Sequence, residues 1–283
     1  MNNRPFEKID MPVQNNALAL RKRFSRAELS QAIDQEKVEQ VREMLRLGAD
    51  ANESSPFGRT HLMAAASRGN VQVIQALLPF SDATLCDPSG KTALWHALAT
   101  GRFEAAQLLA AHSDPTKKTS WNRTTLMEAA SSGNAQSVAW LLPLSNAKDQ
   151  DHMGYTALMM PFGDGRADEL ECVRLLLPVS DPLARNQDGW TALHCAAELG
   201  RLEAARLLAP VSDLDARCNK GNTPRDMAIR EGYPEFARFL EQEKARQESA
   251  ALAGVVEDAT PKGLAHAESE EQASSRRIKP RAL

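Results

Sequence analysis

A pattern of glycine, threonine and leucine returns every 32 residues along most of this chain, and little else about the sequence constrains the fold as much. Gly58, Gly90, Asn122, Gly154, Gly189 and Gly221 open successive copies, at intervals of 32, 32, 32, 35 and 32 residues. Thr60, Thr92, Thr124, Thr156, Thr191 and Thr223 stand two positions on. Leu62, Leu94, Leu126, Leu158 and Leu193 follow two beyond those. Gly69, Gly101, Gly133, Gly200 and Gly232 close the first run of each copy, and Leu-Leu-Pro closes the second at 77–79, 141–143 and 176–178. Recurrence at this period means a row of like units, each leaning on its neighbours.

The copy at 188–210 reads most plainly. Asp188-Gly189 is a turn dipeptide. Thr191 is placed to cap a helix carrying Leu193, Ala196 and Ala197 on one face, and Gly200 suits its end. A second helix presents Leu202, Ala205, Leu207 and Leu208, and Pro210 stops it for want of an N–H. Helices this short do not persist alone. Their apolar faces must therefore be covered by the next copy.

Thr-Ala-Leu-His at 191–194, Ala-Ala-x-x-Gly at 196–200, Thr-Ala-Leu at 92–94 and 156–158, and Gly-Ala-Asp at 48–50 together resemble the ankyrin repeat. The resemblance implies an all-α solenoid of about seven stacked helix-turn-helix units over 26–242, with terminal caps. The units fall near 26–57, 58–89, 90–121, 122–153, 154–188, 189–220 and 221–242. The link after the second helix is one residue shorter than the family's, Leu-Leu-Pro-x-Ser-Asp in place of Leu-Leu-x-x-Gly-Ala-Asp. Residues 1–25 read as an extension in which Asn15 or Asn16 caps a short helix through Ala17, Leu18 and Leu20. Residues 243–283 read as a helical extension followed by a disordered charged tail, since they offer few large apolar groups.

Composition excludes several function classes. Only 5% of residues are aromatic, and the net charge of −3 gives no overall attraction to nucleic acid. Basic clusters do stand at the ends: Arg21, Lys22, Arg23 and Arg26, then Arg276, Arg277, Lys279 and Arg281. They leave a nucleic-acid-associated role open as an alternative. No run is long and apolar enough for a membrane span, and the first residues lack a secretory core. Cys86, Cys172, Cys195 and Cys218 form no C-x-x-C pair and read as free thiols of a reducing, cytoplasmic compartment. Delivery into another cell stays open.

Catalytic signals are missing. Ser89-Gly90-Lys91-Thr92 mimics the end of a phosphate loop, but Leu85 stands where the first glycine belongs. The six histidines show no metal-ligand spacing. The resemblance implies that Thr191 and His194 bond to each other locally. Asn122-Arg123-Thr124 and Asn52-Glu53-Ser54 match a glycosylation sequon but fall at turns. The sequence therefore calls for no catalytic residue, metal or cofactor. An enzyme with an unrecognised site remains the remote alternative.

What the resemblance implies is a monomeric scaffold binding another protein on a concave face and on its turn tips. The residues flanking each opening glycine become the candidates: Phe57, Arg59, Ser89, Lys91, Trp121, Arg123, Met153, Tyr155, Asp188 and Trp190. Trp121, Tyr155 and Trp190 are expected at the tips, along one edge, as exposed anchors. Lys91 is expected on an exposed turn, and Trp140 in the core. Residues 159–171 break the pattern. Pro161 should interrupt a helix there, leaving a loop that projects Phe162, Asp164 or Arg166. If the array is helical, far-UV circular dichroism will show helix and no dominant sheet signal.

Overall fold

The computed structural model describes residues 24–162 and 168–258, the last six by backbone alone. The sequence expectations for 1–23, for 259–283, and for Asp164 and Arg166 lie outside the described residues. Within them the chain forms α-helices in successive antiparallel pairs. The pairs are α1 Arg26–Asp34 with α2 Val38–Arg46, α3 His61–Arg68 with α4 Val71–Leu77, and α5 Ala93–Ala99 with α6 Phe103–Ala110. Then come α7 Thr125–Ser131 with α8 Ala135–Leu141, a 3₁₀ turn Ala157–Met159 with α9 Glu169–Leu176, and α10 Ala192–Glu198 with α11 Leu202–Leu208. Last are α12 Pro224–Arg230 and the long α13 Pro234–Asp258.

The recurrent threonine starts each first helix. Thr60, Thr92, Thr124 and Thr223 turn their hydroxyls onto the N–H three residues on, satisfying one of the orphan donors of a helix start. Asn70 and Asn134 do the same for α4 and α8. Proline in the closing turn after α4, α8 and α11 ends the second helix in a short 3₁₀ segment.

Packing runs in two layers. First helices pack on first helices (α3 on α5, α5 on α7, α10 on α12), and second on second (α2 on α4, α8 on α9, α9 on α11, α11 on α13). Leu62, Leu94, Leu126, Leu158 and Leu193 are all sealed in one continuous core. The Ala-Ala pairs at 65–66, 129–130 and 196–197 are equally buried. Small residues there let neighbouring helices approach closely.

The irregular copy departs from expectation at Phe162. No first helix forms at Ala157–Met159, in keeping with Pro161, and the 3₁₀ turn bridges α7 and α10 in its place. Phe162 does not project: it is only 2% exposed. It stands six residues after Thr156, where the units on either side carry Ala130 and Ala197. Loss of the helix opens room that an alanine would leave empty, and the phenyl ring fills it. Trp140 is half-buried, meeting Phe103 edge-on with ring centroids 6.2 Å apart.

Leu193→Ala and Phe162→Ala should therefore each cost about 2–5 kcal/mol, read as a lowered midpoint of chemical unfolding. A Phe162→Ala midpoint equal to the wild-type value would mean that the ring is not part of the core.

Candidate finger row and concave groove

Between one pair and the next, the chain makes a five-residue hairpin finger. The first N–H bonds to the fifth carbonyl in each: Ser55 to Arg59, Asp87 to Lys91, Thr119 to Arg123, Asp151 to Tyr155, Asn186 to Trp190, and Cys218 to Asn222. The fourth position has positive φ throughout, supplied by glycine or by Asn122 at 60°, the residue after glycine that best tolerates it. The first side chain fixes the turn. Asp87, Asp151 and Asn186 each accept from the third and fifth N–H groups through one oxygen. Ser55 and Thr119 accept from the fifth alone.

Adjacent fingers are stitched by backbone. The second N–H of one bonds the third carbonyl of the finger before: Ser120 to Ser89, His152 to Trp121, Gln187 to Met153, and Asn219 to Asp188, at 2.8–3.0 Å. At the 55–59 and 87–91 junction the donor would be Pro88, which has no N–H, so this rung is missing. Side chains reinforce the rest. Asn122 donates to the Gln150 carbonyl at 2.7 Å, Gln187 to that of His152 at 2.6 Å, and Asn219 to that of Gln187 at 2.7 Å.

This ladder separates the sequence-derived candidates into two rows. Third positions form the tip: Phe57 is 82% exposed, Trp121 62% and Met153 47%, with Ser89 and Asp188 between and after them. Fifth positions are Arg59, Lys91, Arg123, Tyr155 and Trp190, all half-buried against the first helices. Tyr155 and Trp190 are therefore not tip residues. Both pack on the core, because the returning arm of each finger lies over the helix that it leads into. Lys91 is likewise not on an open turn: its ammonium lies 4.0 Å from the Trp95 ring centroid. Replacing any of these three will cost fold stability as well as contact.

The groove also gathers residues that the sequence reading passed over. Four positions after each capping threonine stand Ala64, His96, Glu128, Met160 and Cys195. Fifth-position cations reach them. Arg59 donates to Nδ1 of His96 at 3.4 Å, while Nε2 of His96 meets Asp87 at 3.1 Å. Arg123 lies 3.4 Å from Glu128 and 3.5 Å from the Met160 sulfur. Arg26, from the basic N-terminal cluster, turns its guanidinium to the Arg59 carbonyl at 3.4 Å. The signal was available in principle as a second periodic series on the helices; it was masked because its residue types differ from copy to copy.

Burial sets the protonation states. It holds the His61, His96 and His194 rings below the ordinary histidine value, with Arg26 beside His61 and Arg59 beside His96 adding to the effect. His194 Nδ1 accepts from the Thr191 N–H at 3.2 Å and lies 2.9 Å from its hydroxyl, and Nε2 lies 3.2 Å from the Asn222 carbonyl. This histidine ties one unit to the next finger. Burial pushes the Cys172 and Cys195 thiols up to about 12, so neither supplies a thiolate. Among the described residues no group of His, Cys, Asp and Glu is gathered to hold a metal, and no helix is long and apolar enough to cross a membrane.

The buried histidines make stability depend on pH. His61 titrates at about 4 in the fold against 6.5 when free, so the unfolded chain binds the proton first. Its contribution is complete above the free value and is lost as pH falls from there toward 4. At about 1.4 kcal/mol per unit this amounts to about 3 kcal/mol. The urea midpoint should fall across this window, and His61→Gln should flatten the slope. An unchanged slope would contradict the buried, neutral ring.

A search of curated proteins finds no match to the chain. A family model described as ankyrin repeats matches three times, over residues 29–119, 108–181 and 165–249. Together these spans run from within α1 to within α13 and take in every finger described above. Members of this family are, as a rule, non-catalytic protein–protein interaction modules. The paired helices, the stitched fingers and the recurrent Thr, Leu and Gly thus agree with the sequence match, and the chain belongs to the ankyrin repeat family.

Proposed function

We propose that the chain is a non-catalytic scaffold that holds a partner protein on its finger tips and in the groove beside them. The observation that carries this reading is the exposure of Phe57, Trp121 and Met153 at equivalent tip positions. Large apolar groups held in the open on a hydrogen-bonded turn lose little freedom on binding. Trp121 is steadied by an edge-on contact with His152, ring centroids 6.4 Å apart. Aromatic side chains in such settings dominate interface energies. The scaffold works as a monomer in a reducing, cytoplasmic setting, a reading supported by four free cysteines.

Affinity purification from the native cell supplies the partner for the test. Phe57→Ala with Trp121→Ala should weaken its capture by about 2 kcal/mol or more, roughly thirtyfold. The melting transition should barely move, because neither side chain is buried. Undiminished capture by a folded double variant would exclude the tips as the docking site.

A further inference from the structure

The fifth finger positions change character along the stack. Reading from the N-terminal end they are Arg59, Lys91, Arg123, Tyr155, Trp190 and Asn222, with Arg26 standing ahead of Arg59. The first part is cationic, and Tyr155 and Trp190 after it are aromatic. Among the described residues, Arg26, Arg59 and Lys91 make no ion pair with a carboxylate. Arg26 bonds only to the Arg59 carbonyl, Arg59 to the neutral ring of His96, and Lys91 rests over Trp95. Of the acids nearby, Asp34 pairs with Arg68 at 2.7 Å, while Asp87 is hydrogen-bonded to the neutral His96 at 3.1 Å and keeps its charge. Arg123 is neutralised by Glu128 at 3.4 Å. Beyond it lie Met160, Tyr155 and Trp190, apolar surface in partial contact with the core.

We propose that this groove takes an extended acidic segment of the partner protein, its carboxylates against Arg26, Arg59 and Lys91 and its apolar end against Tyr155 and Trp190. The proposal rests on the scaffold reading above and adds the chemistry of what is bound. Three half-buried cations without carboxylate partners form a field that an acidic chain completes, and their partial desolvation strengthens each contact. Helices in contact lie about 10 Å apart, so successive units set successive cations at about that spacing. A chain in the extended polyproline II conformation advances about 3.1 Å per residue with three residues per turn, which puts every third side chain opposite the next unit. The ligand pattern is therefore acidic residues three apart, followed after a neutral position by aromatic or aliphatic residues at the same interval. Nucleic acid fits less well: three cations in single file are too sparse for phosphates about 3.4 Å apart along a strand. The Tyr155 half of the groove adds Asp188 and Glu198, whose charge repels phosphate.

Selection of random displayed peptides of about 15 residues, long enough at about 3.1 Å each to cross the fingers from Arg59 to Trp190, supplies the probe. The full chain should enrich Asp and Glu at three-residue spacing with apolar residues to one side. Arg59→Glu with Lys91→Glu, its fold checked by circular dichroism and melting, should bind the enriched peptides at least tenfold more weakly, ~10-fold being the expectation for two paired charges. Arg59→Gln with Lys91→Gln serves the same purpose should the reversal melt the stack. Enrichment of neutral or basic peptides that Trp121→Ala then loses would overturn the acidic assignment and leave the finger-tip reading intact. Acidic peptides whose affinity neither double variant changes would overturn the placement in this groove. Tighter binding of an oligothymidylate of about the same length would overturn the choice of ligand, and a library with no enrichment would overturn both readings.

Discussion

Every feature of this protein depends on the burial of one short helix pair against the next. Helices of seven to nine residues, which most of these are, do not form by themselves in water. Each becomes stable only when its leucine and alanine face is covered, and the cover comes from the same face of a neighbour. The core is consequently a continuous seam running through the stack, with no centre. Folding of any unit is conditional on the units beside it, and the irregular copy shows how strict this condition is. Where Pro161 removes a helix, Phe162 swings inward to keep the seam closed.

The fingers convert that stacking into an ordered row of presented side chains. Their turns are set locally by an Asp, Asn, Ser or Thr at the first position and by a left-handed fourth position. Their alignment is set by the backbone rungs between neighbours. The tips are thereby presented at fixed intervals, with side chains that stacking leaves free to vary. The missing rung at Pro88 makes Phe57 the one tip in this series whose finger is not bonded to the next by that contact. A partner touching Phe57 and Trp121 would span the junction.

The histidines illustrate how neighbouring positions in the repeat take different duties. His194 links Thr191 to the Asn222 carbonyl of the following finger, a structural tie. His96, one position further along its helix, instead mediates between Arg59 and Asp87 in the groove. Both are held neutral by burial, and His96 by Arg59 as well, so neither adds charge to the cationic end of the groove. The field there is consequently that of the arginines and the lysine together with the Asp87 carboxylate, which the neutral His96 does not cancel.

The recurrence of Gly, Thr and Leu determined the fold class before any coordinates, because turn geometry, capping and apolar spacing are local demands that each copy must meet in the same way. It also located the fingers, since a left-handed residue flanked by variable ones has few alternatives. What the sequence alone did not decide was orientation. Trp121 and Trp190 both adjoin an opening residue, yet one stands on the tip and the other lies against the core, because two residues of register carry a side chain from the outgoing to the returning arm of the hairpin. Phe162 followed the same logic: the break at Pro161 was legible, but whether the ring pointed out or in depended on the cavity left between α7 and α10. The row of Arg26, Arg59 and Lys91 likewise exists only in the stack, where residues about 32 positions apart become neighbours.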